Sequence, residues 1–132
     1  MNRYNPPRVD RGGVMISDVE KIGPIAEIAN GKTIGGEMGF SFPDVLEAVK
    51  LCTANRIAVL GVEIFLVRGE TYETITLSSY EIEDQEWEAY VAENNSLAED
   101  FIRSNPSGDE HIYVLTTSSW REFCEIQVQK RI

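Results

Sequence analysis

Apolar residues are unevenly spread along the chain, and the densest run is residues 56–67 (RIAVLGVEIFLV), interrupted only by Glu63. Rich in Ile and Val and bounded by Asn55 and by Arg68-Gly69, it predicts a strand covered on both faces, because a strand with one wet face alternates. A membrane span needs roughly twenty apolar residues, so this run belongs to a core. Upstream, Val45, Leu46, Ala48, Val49 and Cys52 recur at helical spacing and predict a helix over residues 42–54. Ser41 is its expected N-cap, Pro43 and Asp44 suit its first turn, and Asn55 is its expected stop.

Downstream, residues 72–82 alternate between two faces and are rich in Thr, Tyr and Ile, and Gly69 before them predicts an antiparallel hairpin with the central strand. A second helix is predicted over residues 84–103, with Asp84 as N-cap and one stripe of Trp87, Tyr90, Val91, Asn94, Ala98, Phe101 and Ile102. Residues 111–117 read as a third strand. Residues 123–129 read as a fourth, with Cys124, Ile126 and Val128 on one face, a helix being the alternative. Between these two, Ser118-Ser119-Trp120-Arg121-Glu122 resembles a capped helical turn. Shorter elements are expected at residues 14–16 (an edge strand) and 25–29 (a helical turn). Residues 1–13, with paired prolines, paired glycines and three arginines, predict a flexible arm. The whole is an α+β single domain over residues 14–132, a mostly antiparallel four- to five-stranded sheet packed by two main helices. At 132 residues the chain is long enough to bury a core without metal or disulfide support.

Charge changes this picture. The formal net charge is -10, yet residues 1–69 hold eight acids and eight bases, while residues 70–110 hold twelve acids against one base. Such a field repels nucleic acid and anionic membranes and attracts basic partners. Candidate chemistry adds little. Cys52 and Cys124 lack a CxxC spacing and are expected reduced and buried; the single His111 is expected at a strand edge. GKTIGGEMG at residues 31–39 reverses the order of a phosphate-binding loop and is expected to be a turn-rich connection. No calcium loop or nucleophile elbow is present, so no cofactor, metal ligand or catalytic residue is assigned. The N-terminus has no apolar signal segment, and a cytoplasmic location is expected.

The helix SFPDVLEAVKLC running into NRIAVLGVEIF, then TYETITLSSY, WEAYVAENNSLAEDFI, HIYVLTTSS and WREF, resembles a family of immunity proteins from bacterial polymorphic toxin systems over about residues 39–123. The resemblance implies a small cytoplasmic protein that binds and neutralises a cognate toxin domain without catalysis. Joined to the charge distribution, it makes Glu81, Glu83, Asp84, Glu86, Glu88, Glu93 and Asn95 the expected partner-binding residues. Tyr72, Tyr80, Trp87 and Trp120 are possible aromatic anchors wherever they are not core. Asn94-Asn95, an amide pair of poor helix propensity, calls for a structural hydrogen bond or a partner contact. The alternatives are a protein-interaction module outside toxin systems, a homodimer, or a small hydrolase using paired carboxylates.

Overall fold

The computed structural model describes residues 17–79, 86–105 and 110–130. The expected arm at residues 1–13 and edge strand at residues 14–16 lie outside them. A 3₁₀ turn (Asp18–Lys21) leads into α1 (Gly23–Ala29), which ends on Asn30 in the left-handed conformation. β1 (Thr33–Ile34) and β2 (Glu37–Met38) then form a small antiparallel hairpin. Its turn, Gly35-Gly36, has φ of 59° and 86°, the paired positive values that a tight type I′ turn requires. The Gly-rich stretch is therefore a turn-rich connection, as its sequence predicts.

α2 (Asp44–Ala54) buries Val45, Ala48, Val49 and Cys52, the stripe its spacing predicts. Its start differs from expectation. Pro43 holds the N-cap position without a side-chain cap, while Ser41 Oγ hydrogen-bonds to the Asp44 carboxylate at 3.3 Å. β3 (Ala58–Arg68) is the central strand, with Ala58, Val59, Gly61, Val62, Ile64 and Phe65 all buried. It pairs antiparallel with β4 (Thr71–Ser79) across a turn in which Gly69 takes φ of 62°. After α3 (Trp87–Ser104), β5 (His111–Ser118) returns antiparallel to the other side of β3, giving the order β4-β3-β5. Phe40 adds one bridge to the outer side of β5 through its backbone exchange with Tyr113.

The five strands thus fall into a three-stranded and a two-stranded sheet. The expected fourth strand at residues 123–129 is replaced by α4 (Trp120–Lys130). The reason lies just upstream of it: Glu122 N–H donates to Ser119 Oγ at 3.1 Å and Ser119 N–H donates to Glu122 Oε1 at 2.9 Å, a complete capping box. A helix nucleated there runs on through Arg, Glu, Gln and Lys, good helix formers. An alternation over so few residues cannot specify a strand against it.

One core joins the helices to the sheet. Ile25 of α1, Val45, Val49 and Cys52 of α2, Ala98 and Ile102 of α3, Val59, Val62 and Ile64 of β3, and Tyr113 of β5 form a single buried cluster. Each fully buried Val or Ile contributes about 1.5–3 kcal/mol relative to exposure. Both cysteines are free; Cys52 is buried and its thiol is pushed up to about 12 by burial, while Cys124 is only half-buried.

Candidate partner-binding site

The site is built on the turn between α2 and β3. Ile57 N–H donates to Cys52 O at 2.8 Å and Arg56 N–H to Thr53 O at 3.1 Å, the bond pair of a Schellman motif. Arg56 occupies its left-handed position at φ 62°, where glycine is usual and a side chain costs about 1 kcal/mol. α3 grips this turn at two places. Trp87 Nε1 donates to Arg56 O at 2.9 Å, and Asn95, two helical turns later, donates to Ile57 O at 3.0 Å and to Thr53 Oγ1 at 2.8 Å. Val59 N–H donates in return to Asn95 Oδ1 at 2.7 Å. Asn95 is 1% exposed, so the expectation that it contacts a partner is corrected: its amide satisfies buried backbone groups and is closed to a second molecule. Its neighbour Asn94, also buried, donates to Tyr90 O at 2.8 Å and leaves its Oδ1 without a hydrogen bond.

The first turn of α3 also opens an aromatic cluster. Trp87 stacks on Tyr90 with ring centroids 5.2 Å apart, and Phe123 of α4 lies 5.4 Å from Trp87 and 5.6 Å from Tyr90. Trp120 closes the group, 5.3 Å from Trp87 and 6.0 Å from Phe123. Trp87, Tyr90 and Phe123 are half-buried, whereas Trp120 is 53% exposed. Trp87 and Tyr90, expected on the core stripe of α3, therefore form its boundary with α4, and of the two tryptophans Trp120 is the anchor candidate that is open to solvent.

The N-terminus of α4 is held in place by a clasp to the 3₁₀ turn. Arg121 reaches Asp18 at 3.0 Å and Glu125 at 2.9 Å, Ser119 Oγ donates to the same Asp18 carboxylate, and Asp18 N–H donates to Glu122 Oε2 at 2.9 Å. Burial alone would raise the Asp18 pKa, but hydrogen bonds from Arg121, Ser119 and Lys21 outweigh it and hold the carboxyl down at about 2. No sequence signal points to this contact, because Asp18 and Arg121 lie far apart in the chain; only the Ser119–Glu122 spacing announces a helix start there.

Of the expected partner-binding acids, Glu86 at the N-cap of α3 and Glu88 and Glu93 on it are exposed. Glu86 and Glu88 flank Trp87, and Glu88 pairs with Arg56 at 3.1 Å while its side chain stays 69% exposed. Glu81, Glu83 and Asp84, and Tyr80 with them, lie outside the described residues. Elsewhere, partial burial and then the charges of Glu63 and Glu20 push the pKa of Glu37 up, on the exposed β1–β2 hairpin. Among the described residues no His, Cys, Asp or Glu group is placed to hold a metal ion, and no helix is long and apolar enough to cross a membrane.

A family model described as Immunity protein 40 matches residues 20–117, which include α1, α2, α3, β1 to β4 and all of β5 but Ser118. The chain belongs to the Immunity protein 40 family. That membership agrees with the resemblance in the sequence and makes the protein an immunity protein directed against a toxin. Within the Immunity protein 40 span lie Arg56, Trp87, Glu88 and Tyr90; Trp120 and Phe123 fall beyond it. No curated protein and no solved structure matches the chain.

Proposed function

We propose that this Immunity protein 40 member neutralises a basic toxin domain by binding it through the acidic face that leads into and along α3, and that it acts by occlusion without catalysis. The observation that carries the reading is the concentration of twelve acids against one base in residues 70–110, with Glu86 and Glu88 exposed beside an aromatic cluster. Charges of one sign steer a basic partner and fix its register, and aromatic side chains at the centre of such a contact supply affinity. Glu81, Glu83, Asp84 and Glu93 extend the face in this reading. A toxin domain that grips a polyanion carries a basic cleft, and an acidic protein can fill it. The contact is made in the cytoplasm of the cell being protected.

The test begins with recovery of the toxin domain by affinity purification at low salt from the native cell. Wild type and a variant carrying Lys at Glu83, Asp84, Glu86 and Glu88 are then compared for toxin binding across a salt series and for rescue of growth. Binding that weakens at least about tenfold, with a shallower salt dependence, is expected. Unchanged affinity and unchanged salt slope would show that the acidic face is not the contact.

A further inference from the structure

We infer that Trp120 is the seat for an arginine side chain of the toxin domain, its indole receiving the guanidinium while neighbouring carboxylates hold the charge. This rests on the toxin-binding reading above and adds to it the chemistry of the anchor. Four observations converge on it. First, Trp120 is 53% exposed although Trp87 and Phe123 lie 5.3 and 6.0 Å from it, so the cluster ends in an indole that nothing in the described chain covers fully. Covering the rest of that ring is favourable for any partner that fits it.

Second, the indole face attracts cations, and the ring does not stand in neutral surroundings. Asp18, Glu86, Glu88, Glu122 and Glu125 lie around the two helix starts, against Arg56, Arg121 and Lys21. All three cations are already paired, Arg56 with Glu88, Arg121 with Asp18 and Glu125, and Lys21 with Asp18, and five acids against three bases leave the excess charge negative. Third, the ring is held ready. The capping box fixes the residue before Trp120, the Asp18 clasp fixes the residue after it, and Trp87 behind it is anchored on Arg56 O. Little ordering remains to be done on binding. Fourth, the geometry favours arginine over lysine. A planar guanidinium stacks on an indole and still offers N–H groups to a carboxylate at its edge, whereas an ammonium is a compact, strongly hydrated charge.

The test uses the full-length protein with a hexa-arginine and a hexa-lysine peptide as probes, titrated by tryptophan fluorescence and by the indole N–H signals of the two tryptophans. Hexa-arginine should bind the tighter of the two. W120A should lose roughly tenfold in affinity for hexa-arginine and change affinity for hexa-lysine by less than about twofold, while E86K/E88K weakens both peptides. W120L, which keeps apolar bulk without a π face, should lose the arginine preference as W120A does, and it decides the matter if W120A melts early. If W120A and W120L bind both peptides like wild type while E86K/E88K weakens both, the anchor is wrong and the acidic face stands. If E86K/E88K leaves both affinities unchanged, the acidic face falls whatever Trp120 does. A wild-type dimer in sedimentation that W120A dissociates would overturn the toxin as occupant in favour of a second copy.

Discussion

Two adjacent asparagines show how much a residue's surroundings decide its worth. Asn94 and Asn95 are equally buried, yet Asn95 serves Ile57 O, Thr53 Oγ1 and Val59 N–H, whereas Asn94 makes one bond to Tyr90 O and leaves its own Oδ1 unpaired. Asn95→Ala strands a buried N–H and a buried carbonyl, and should cost about 3 kcal/mol. Asn94→Ala removes an unsatisfied acceptor along with its one bond, and should cost less than about 1 kcal/mol. Urea unfolding of both variants checks this, and equal losses would refute the assignment of Asn95 as the clamp. Arg56 offers the opposite case, a residue whose backbone is strained at φ 62° and whose ion pair with Glu88 is exposed. Exposed pairs contribute about 0–1 kcal/mol, and release of a left-handed side chain returns about 1 kcal/mol. Arg56→Gly should therefore leave stability unchanged or raise it slightly. It should also tighten binding of a basic partner by freeing the Glu88 carboxylate, a gain that calorimetric titration would register.

At the scale of elements, α4 is where the strand first read from the sequence gives way to its alternative, a helix. The central strand, its hairpin with β4, the core stripe of α2 and the return strand β5 were all legible, because each has a period or a bounded apolar run long enough to exclude the alternatives. The period-two pattern of Cys124, Ile126 and Val128 lost to the Ser119–Glu122 capping box, a local hydrogen-bonding signal rather than a periodic one. For Asn95 the sequence left a structural hydrogen bond and a partner contact both open, because a buried amide on a helix is recognisable only once the chain end it clamps is known. The density of acids that includes Glu86, Glu88 and Glu93 was legible, and all three are exposed, but the Asp18–Arg121 clasp that steadies α4 joins residues with no proximity in sequence. That clasp has a pH signature. The Asp18 pKa falls from 3.8 to about 2 on folding, so its contribution is complete above pH 3.8 and is lost as pH falls through about 2. Because Arg121 is half exposed, the gain after screening is about 1 kcal/mol. Asp18→Asn should lower the stability measured in denaturant by that amount at neutral pH, and the difference should close in strong acid. A difference independent of pH would mean that shape, not charge, holds the helix start.

For the molecule as a whole, the excess of acids has two consequences of opposite sign, and salt separates them. Packing twelve acids and one base into residues 70–110 of a chain with net charge -10 creates self-repulsion in the folded state, and that repulsion weakens as the screening length shrinks to about 10 Å at 0.1 M salt. The ion pairs among the described residues work the other way: Lys21–Asp18, Arg56–Glu88, Arg68–Glu73, Arg103–Glu99, Arg121–Asp18 and Arg121–Glu125 all weaken when screened. Each is worth about 1 kcal/mol or less, and they engage five of the bases, whereas the chain carries 22 acids against 12 bases. Repulsion should therefore dominate, and moderate sodium chloride should raise the melting temperature by a few degrees, at about 4 °C per kcal/mol for a domain of this size. On the proposed function, affinity for the toxin domain should fall over the same range, because the field that strains the free protein would also be the one that draws in a basic partner. Thermal melts and binding titrations in the same salt series test the pair of trends together, with an uncharged osmolyte to separate screening from general exclusion at the surface. A melting temperature that falls with salt would show that the ion pairs outweigh the repulsion. Affinity that holds constant while the protein stiffens would place the toxin contact off the acidic face.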